Sequence, residues 1–169
     1  MAKTIFLSFL IFLLSTQFVF ADSQYVLPYP SSMPGGFLYK FRVISEPLQR
    51  LWYFGDLARF KYDLKQSDKY IVEAKTLFEY KQYLLAVASL KKSDIYFEGA
   101  KKDLELARKR KNVRELEIIF KEASQKHLEV LEVLKQNTPE DFLWQPEKSA
   151  SSKLNIWEEI NSSIKIREL

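Results

Sequence analysis

The sequence predicts an all-α protein: an antiparallel bundle of three long helices plus a short N-terminal helix, with an extended proline-rich arm before it and an amphipathic helix at the C-terminal side. Three observations carry this expectation. Glycine is scarce, at four residues in 169, whereas nucleotide loops, sharp hairpins and barrel corners use it for positive φ or close backbone approach. Apolar residues recur at intervals of three and four through three successive long segments, which is the period of one helix face. The joints between those segments are only one to three residues long, so consecutive helices must fold back on one another.

Residues 1–21 read as an address. One charge, Lys3, precedes an apolar stretch over 5–14, interrupted by Ser8 alone, and Val19 and Ala21 supply the small residues of a cleavage site before Asp22. The alternative is an uncleaved membrane anchor, since about 17 apolar residues is the lower limit for a span. Either way the rest of the chain is expected outside the cytoplasm, whether periplasmic, cell-surface or secreted. Cleavage removes Lys3 and lowers the formal charge from +4 by one.

Segment 22–36 holds Pro28, Pro30, Pro34 and the Gly35–Gly36 pair. These forbid a helix and favour an extended arm. Tyr25, Val26, Leu27, Tyr29 and Met33 make the arm too apolar for a plain linker, so it is expected along the bundle surface or as a docking peptide.

The bundle domain is expected over 37–137. In 37–54 the residues Phe37, Leu38, Phe41, Ile44, Leu48, Leu51 and Trp52 form an apolar stripe, and Pro47 is expected to interrupt or restart that first helix. Gly55–Asp56 ends it and caps the next. The second helix, 57–79, has the stripe Leu57, Phe60, Leu64, Ser67, Ile71, Ala74, Phe78. Tyr80–Lys81 is a corner. The third helix, 82–110, carries Ala86, Leu90, Ser93, Phe97, Ala100, Leu104 and Ala107. Asn112 caps a fourth, whose stripe is Val113, Leu116, Phe120, Ala123, His127, Val130, Leu134. Each long helix spans roughly 35 to 40 Å at 1.5 Å per residue. The seven-residue repeat predicts coiled-coil-like crossings near about +20°. Segment 138–169 reads as a polar linker followed by an amphipathic helix with Leu154, Trp157, Ile160 and Ile164, expected to dock on the bundle or to contact a membrane or partner.

The string YVLPYPSSMPGGFLYK over 25–40 resembles the leader of the DUF5667 family of exported bacterial helical domains of unknown function. LARFKYDLKQSDKYIVEAKTLFEYKQYLLAVASLKKSDIYF is similar to that family's two long helices, and KHLEVLEVL to a segment of its last one. The resemblance covers about 25–139 and implies export and an all-α fold, with no activity and no catalytic residues to carry over. Pro47 and the tail after Pro146 depart from the family pattern. The junction at 80–93 also resembles a tetratricopeptide hairpin, but the flanking helices are too long and no second copy exists.

Cysteine is absent, which excludes disulfides, thiolate metal sites and thiol nucleophiles. The one histidine, His127, sits on an apolar stripe, where a hydrogen-bonded core histidine is expected rather than a ligand or base. No nucleophile elbow, zinc-protease helix or phosphate loop occurs. Asp63, Asp68, Glu73 and Glu79 alternate with lysines as acids on solvated helix faces do. No enzymatic activity, cofactor or metal is therefore expected.

Two candidate surfaces stand out. Lys101, Lys102, Arg108, Lys109, Arg110, Lys111 and Arg114 gather at the corner between the third and fourth helices, as ordinary helix-end charges or as an anion-binding tip for lipid headgroups or wall polymers. No stacking aromatics interleave them, so nucleic acid is not expected. Tyr53, Tyr62, Tyr70, Tyr80, Tyr83 and Tyr96 are expected at groove edges, with Tyr29, Tyr80, Tyr83 and Trp157 as a candidate partner-binding set. The expected function is a non-enzymatic protein-interaction module of the cell envelope. Alternatives are a binder of anionic envelope surfaces through 101–114 and, third, a wall-polymer hydrolase using two carboxylates.

Overall fold

The computed structural model describes residues 24–30, 33–34, 36–110, 112–146 and 150–169. The leader reading of 1–21, its anchor alternative and Lys111 lie outside them. The chain is mostly helical: α1 (Phe37–Arg50), α2 (Asp56–Glu79), α3 (Tyr83–Arg108), α4 (Arg114–Asn137), a two-stranded antiparallel sheet of β1 (Asp141–Trp144) and β2 (Ser152–Asn155), then α5 (Ile156–Arg167). Among the described residues no helix is long and apolar enough to cross a membrane.

Pro47 lies inside α1 without ending it. It has no N–H to give the carbonyl four residues back, but one more turn remains after it and side chains on both sides of it anchor the helix. Gly55, at φ 87, makes the bend into α2 in a conformation that favours glycine. The α2–α3 corner closes with Gln82 N–H on Leu77 O at 2.8 Å and Lys81 N–H on Phe78 O at 2.9 Å, with Lys81 in the left-handed region at φ 57. This is a Schellman ending with lysine at the position usually held by glycine. Asn112, expected as the cap of α4, accepts the Arg114 N–H at 3.2 Å but stands two residues before the helix start, and Val113 holds the N-cap position without a side-chain capping bond.

The α2 and α3 helices fold back on one another: Ser67 Oγ donates to Ser93 O at 2.9 Å, and Ser89 Oγ donates to Glu73 at 2.7 Å. Phe120 of α4 meets Phe97 at 4.7 Å and Phe60 at 6.0 Å between ring centroids. The apolar interior comes in two clusters. One gathers Ile71, Leu77, Phe78, Leu90, Leu131, Leu134, Ile156 and Ile160, and the other Phe60, Leu64, Phe97, Leu104 and Phe120. The stripes expected on the three long helices line these clusters, with Leu57, Leu116 and Val130 at their edges.

The polar linker expected at the start of 138–169 contains two paired strands, β1 and β2, in place of plain loop. Pro139 follows α4 and Phe142 pairs with Leu154 across the two strands. Both side chains pack on the first cluster, and Phe142 meets Tyr83 at 5.0 Å. Four-residue strands whose apolar face is only two or three side chains leave little periodic signal. The terminal helix docks on the bundle: Asn155 caps it by accepting Glu158 N–H at 2.9 Å, and Ile156 and Ile160 are buried.

The arm rests on the bundle through Tyr25 and Leu27. Leu27 packs on the first cluster and Tyr25 on the second, while Tyr25 OH donates to Asp68 at 2.7 Å.

Candidate functional site

The sequence gives α1 two unlike faces, and the fold turns them the opposite way from a core helix. Tyr39, Arg42, Glu46 and Arg50 point down onto α2 and α3. Arg42 pairs with Glu73, and Lys69 Nζ reaches Glu46 at 2.6 Å. Tyr70 OH also donates to the Glu46 carboxylate, and Tyr62 OH donates to the Glu46 carbonyl at 2.7 Å. Arg50 grips Asp63 with Nε at 2.9 Å and Nη2 at 2.7 Å, and its Nη2 lies 3.4 Å from Asp103.

These partners sit on a bed of contacting tyrosines. Tyr53 lies 4.6 Å from Tyr62, and Tyr70 is 5.8 Å from Tyr96 at an interplanar angle of 7°. Tyr62 and Tyr70 are buried, deeper than the groove edges expected for them. Asp63, Asp68 and Glu73, expected on solvated faces, are buried as well, whereas Glu79 is exposed. Each buried acid has a partner from another element, which spacing along α2 alone does not reveal.

The electrostatics follow from this packing. Burial works against the Arg42 charge, but the hydrogen bond and charge of Glu73, with Glu46 beside it, raise its pKa above the ordinary arginine value. The Asp63 hydrogen bond does the same for Arg50. Burial raises the Asp103 carboxyl, and the nearby Asp63 charge adds to it. Tyr96 is pushed up to about 12, first by burial and then by Glu46 and Asp63.

The other face of α1 is bare. Phe37, Leu38, Phe41, Ile44, Leu48, Leu51 and Trp52, with Phe54 just beyond the helix, are exposed at between 59% and 83%. The stripe expected to be core is thus an outward ridge. Periodicity marked the apolar face correctly but could not say what covers it.

The basic corner is partly neutralised. Arg110 pairs with Asp56 at 3.1 Å and Arg108 with Glu117 at 3.4 Å. Lys102, Lys109 and Arg114 are exposed and Lys101 is half-exposed. The four candidate partner-binding aromatics are not brought together. Tyr29, 95% exposed, ends a groove lined by Val72, Lys75, Thr76, Glu79, Lys126 and Val130, in which neither Tyr80 nor Tyr83 takes part. Tyr80 is exposed, and Tyr83 packs on Phe142 and Phe78. Trp157 donates its indole N–H to Thr138 O at 3.1 Å and lies under Lys135.

His127 is fully buried in a polar layer between the two apolar clusters. Its Nε2 is 2.8 Å from Asp68 Oδ1, and Arg167 Nε donates to its Nδ1 at 3.0 Å. Arg167, also fully buried, donates from Nη1 to Asp94 Oδ1 at 2.6 Å and from Nη2 to Ser93 Oγ at 2.8 Å. The imidazole and the guanidinium are thus sealed from solvent, with Asp68 and Asp94 at the edge of the layer.

The class defined by these features is a compact helical scaffold that carries an outward apolar helix. The chain matches no protein-family model, no curated protein and no solved structure.

Proposed function

We propose that this is an exported, non-enzymatic helical interaction module of the cell envelope that works through the outward apolar face of α1. The observation that carries the reading is the orientation of α1, held by its charged side while its phenylalanine, leucine and tryptophan side chains face out. A helix serving stability alone would bury that stripe, which is worth about 1.5 to 3 kcal/mol per large side chain. Contiguous exposed apolar surface of this kind marks contact sites.

An antiparallel bundle of α2, α3 and α4 is the scaffold, supported by the facing Ser67–Ser93 and Glu73–Ser89 contacts and by Phe120 between Phe60 and Phe97. Export rests on the 1–21 leader, and kinship with the DUF5667 family on the 25–40 resemblance. Binding is favoured over hydrolysis because Glu46 with Glu73, and Asp63 with Asp103, meet beneath α1 with an arginine on each pair. A second reading, attraction to anionic envelope surfaces through the basic corner, is supported by the exposed Lys102 and Lys109.

The test is photo-crosslinking in intact envelopes from a probe in place of Phe41, against the same probe in place of Gln136 on the exposed side of α4. Strong adducts, to lipid or to protein, are expected from Phe41 alone. Equal, background-level yields at both sites would overturn the reading.

A further inference from the structure

We infer that the occupant of the α1 ridge is an anionic lipid surface, on which α1 lies flat with its apolar side chains among the acyl chains. This rests on α1 being the working surface, and it names what that surface meets.

Shape is the first argument. A 14-residue helix is about 21 Å long and about 10 Å across. The face is also a convex ridge, which fits a deformable lipid surface without needing a matching groove. Phe37 stands at one end and Trp52 and Phe54 at the other, aromatic types that favour the membrane–water boundary.

Charge is the second argument. The acids near α1, namely Glu46, Glu73, Asp63 and Asp103, are buried beneath it and paired. Cationic side chains flank it along its length: Lys40 is exposed on α1 itself and Lys92 lies 5.6 Å from the Tyr39 ring. Beside Phe54 the one acid, Asp56, is neutralised by Arg110 at 3.1 Å. An apolar ridge with cationic shoulders complements anionic headgroups. Because its polar face is already bound to the bundle, α1 pays no folding entropy on contact, unlike a free amphipathic peptide.

Trp52 is the reporter. The full chain is mixed with phosphatidylcholine vesicles, alone or with an equal part of phosphatidylglycerol, with acyl chains brominated to quench buried tryptophan. A fluorescence read from Trp52 is used because the apolar 5–14 segment can itself associate with lipid. We expect a blue shift and quenching on the anionic vesicles that disappear in Trp52→Phe. Phe41→Glu and Leu48→Glu, both exposed and so compatible with folding, should each weaken the response about tenfold or more.

Equal affinity for neutral vesicles would overturn the anionic assignment. So would absence of any Trp52 response, whether the protein is monomeric or sediments as a dimer that Phe41→Glu dissolves. In the dimer case the ridge belongs to a second copy, and Phe41 crosslinks to protein in the envelope, so the interaction reading survives while the lipid assignment fails. Background crosslinking at Phe41 would remove both.

Discussion

Arg167 Nε can only donate, so the atom it faces on His127, Nδ1, must be the acceptor and the ring proton must sit on Nε2, directed at Asp68. A second proton on Nδ1 would set two N–H groups against each other. Burial accordingly lowers the His127 pKa below its ordinary 6.5, against the pull of Asp68. The unfolded chain then takes up the proton first, so this contribution is fully present above about pH 6.5 and declines as the pH falls below it. Unfolding free energies from urea titrations should drop with a slope approaching about 1.4 kcal/mol per pH unit, and His127→Gln, which keeps one donor and one acceptor, should flatten that slope. The sequence placed His127 on a buried stripe, and its role as a core histidine was legible. Its partners were not, because they lie on α2 and α5. Gly99 makes a second residue-scale case. A Cβ there would sit 2.7 Å from Asp63 Oδ2, an atom pinned by Arg50. Gly99→Ala gains up to about 1 kcal/mol of helix propensity but incurs about 1 to 3 kcal/mol of overpacking. A net fall in thermal midpoint is expected, and a rise would mean that Asp63 shifts freely.

The long helices were readable because each buries the face its stripe marks, and a turn-by-turn apolar repeat is the strongest local signal a sequence carries. For α1 the same pattern pointed the wrong way. What binds α1 is Arg42, Glu46 and Arg50, and their complements Glu73, Lys69 and Asp63 are on α2. Cross-element charge matching leaves no periodic trace in one sequence. The same reasoning explains why the hairpin of β1 and β2 went unseen, since Phe142 and Leu154 gain their meaning from pairing across the intervening residues. The attachment of α1 is open to direct test. Arg42→Met would leave Glu73 buried without its arginine, at a cost of about 3 kcal/mol. Hydrogen exchange should show that cost chiefly as faster exchange of the amides over 37–50, with α2 and α3 still protected. Uniform protection in the variant would mean that α1 is held by something other than its charged face.

At the scale of the whole molecule, the two apolar clusters are separated by the layer of Ser67, Asp68, Ser93, Asp94, Ser124, His127, Ser163 and Arg167. This layer joins α2, α3, α4 and α5, and Tyr25 of the arm reaches it through Asp68. Apolar clusters alone tolerate sliding of one helix by a turn, because any leucine can meet any other. A slid Arg167 would meet aliphatic side chains with no acceptor in reach. The layer therefore acts on register, and its contribution to stability is a separate matter, since buried ion pairs often do no better than an apolar replacement of similar volume. Two variants separate the roles. Arg167→Met alone strands the buried Asp94 carboxylate and should cost about 3 to 5 kcal/mol. Adding Asp94→Leu should recover most of that loss or exceed it, by up to about 4 kcal/mol, if the pair serves register rather than stability. The register role then predicts that the double variant, though stable, broadens its amide spectrum for α5 and loses uniform exchange protection over 156–167. A double variant as well ordered as the parent would assign register to the apolar clusters, and one still destabilised by about 3 kcal/mol would make the pair a net source of stability.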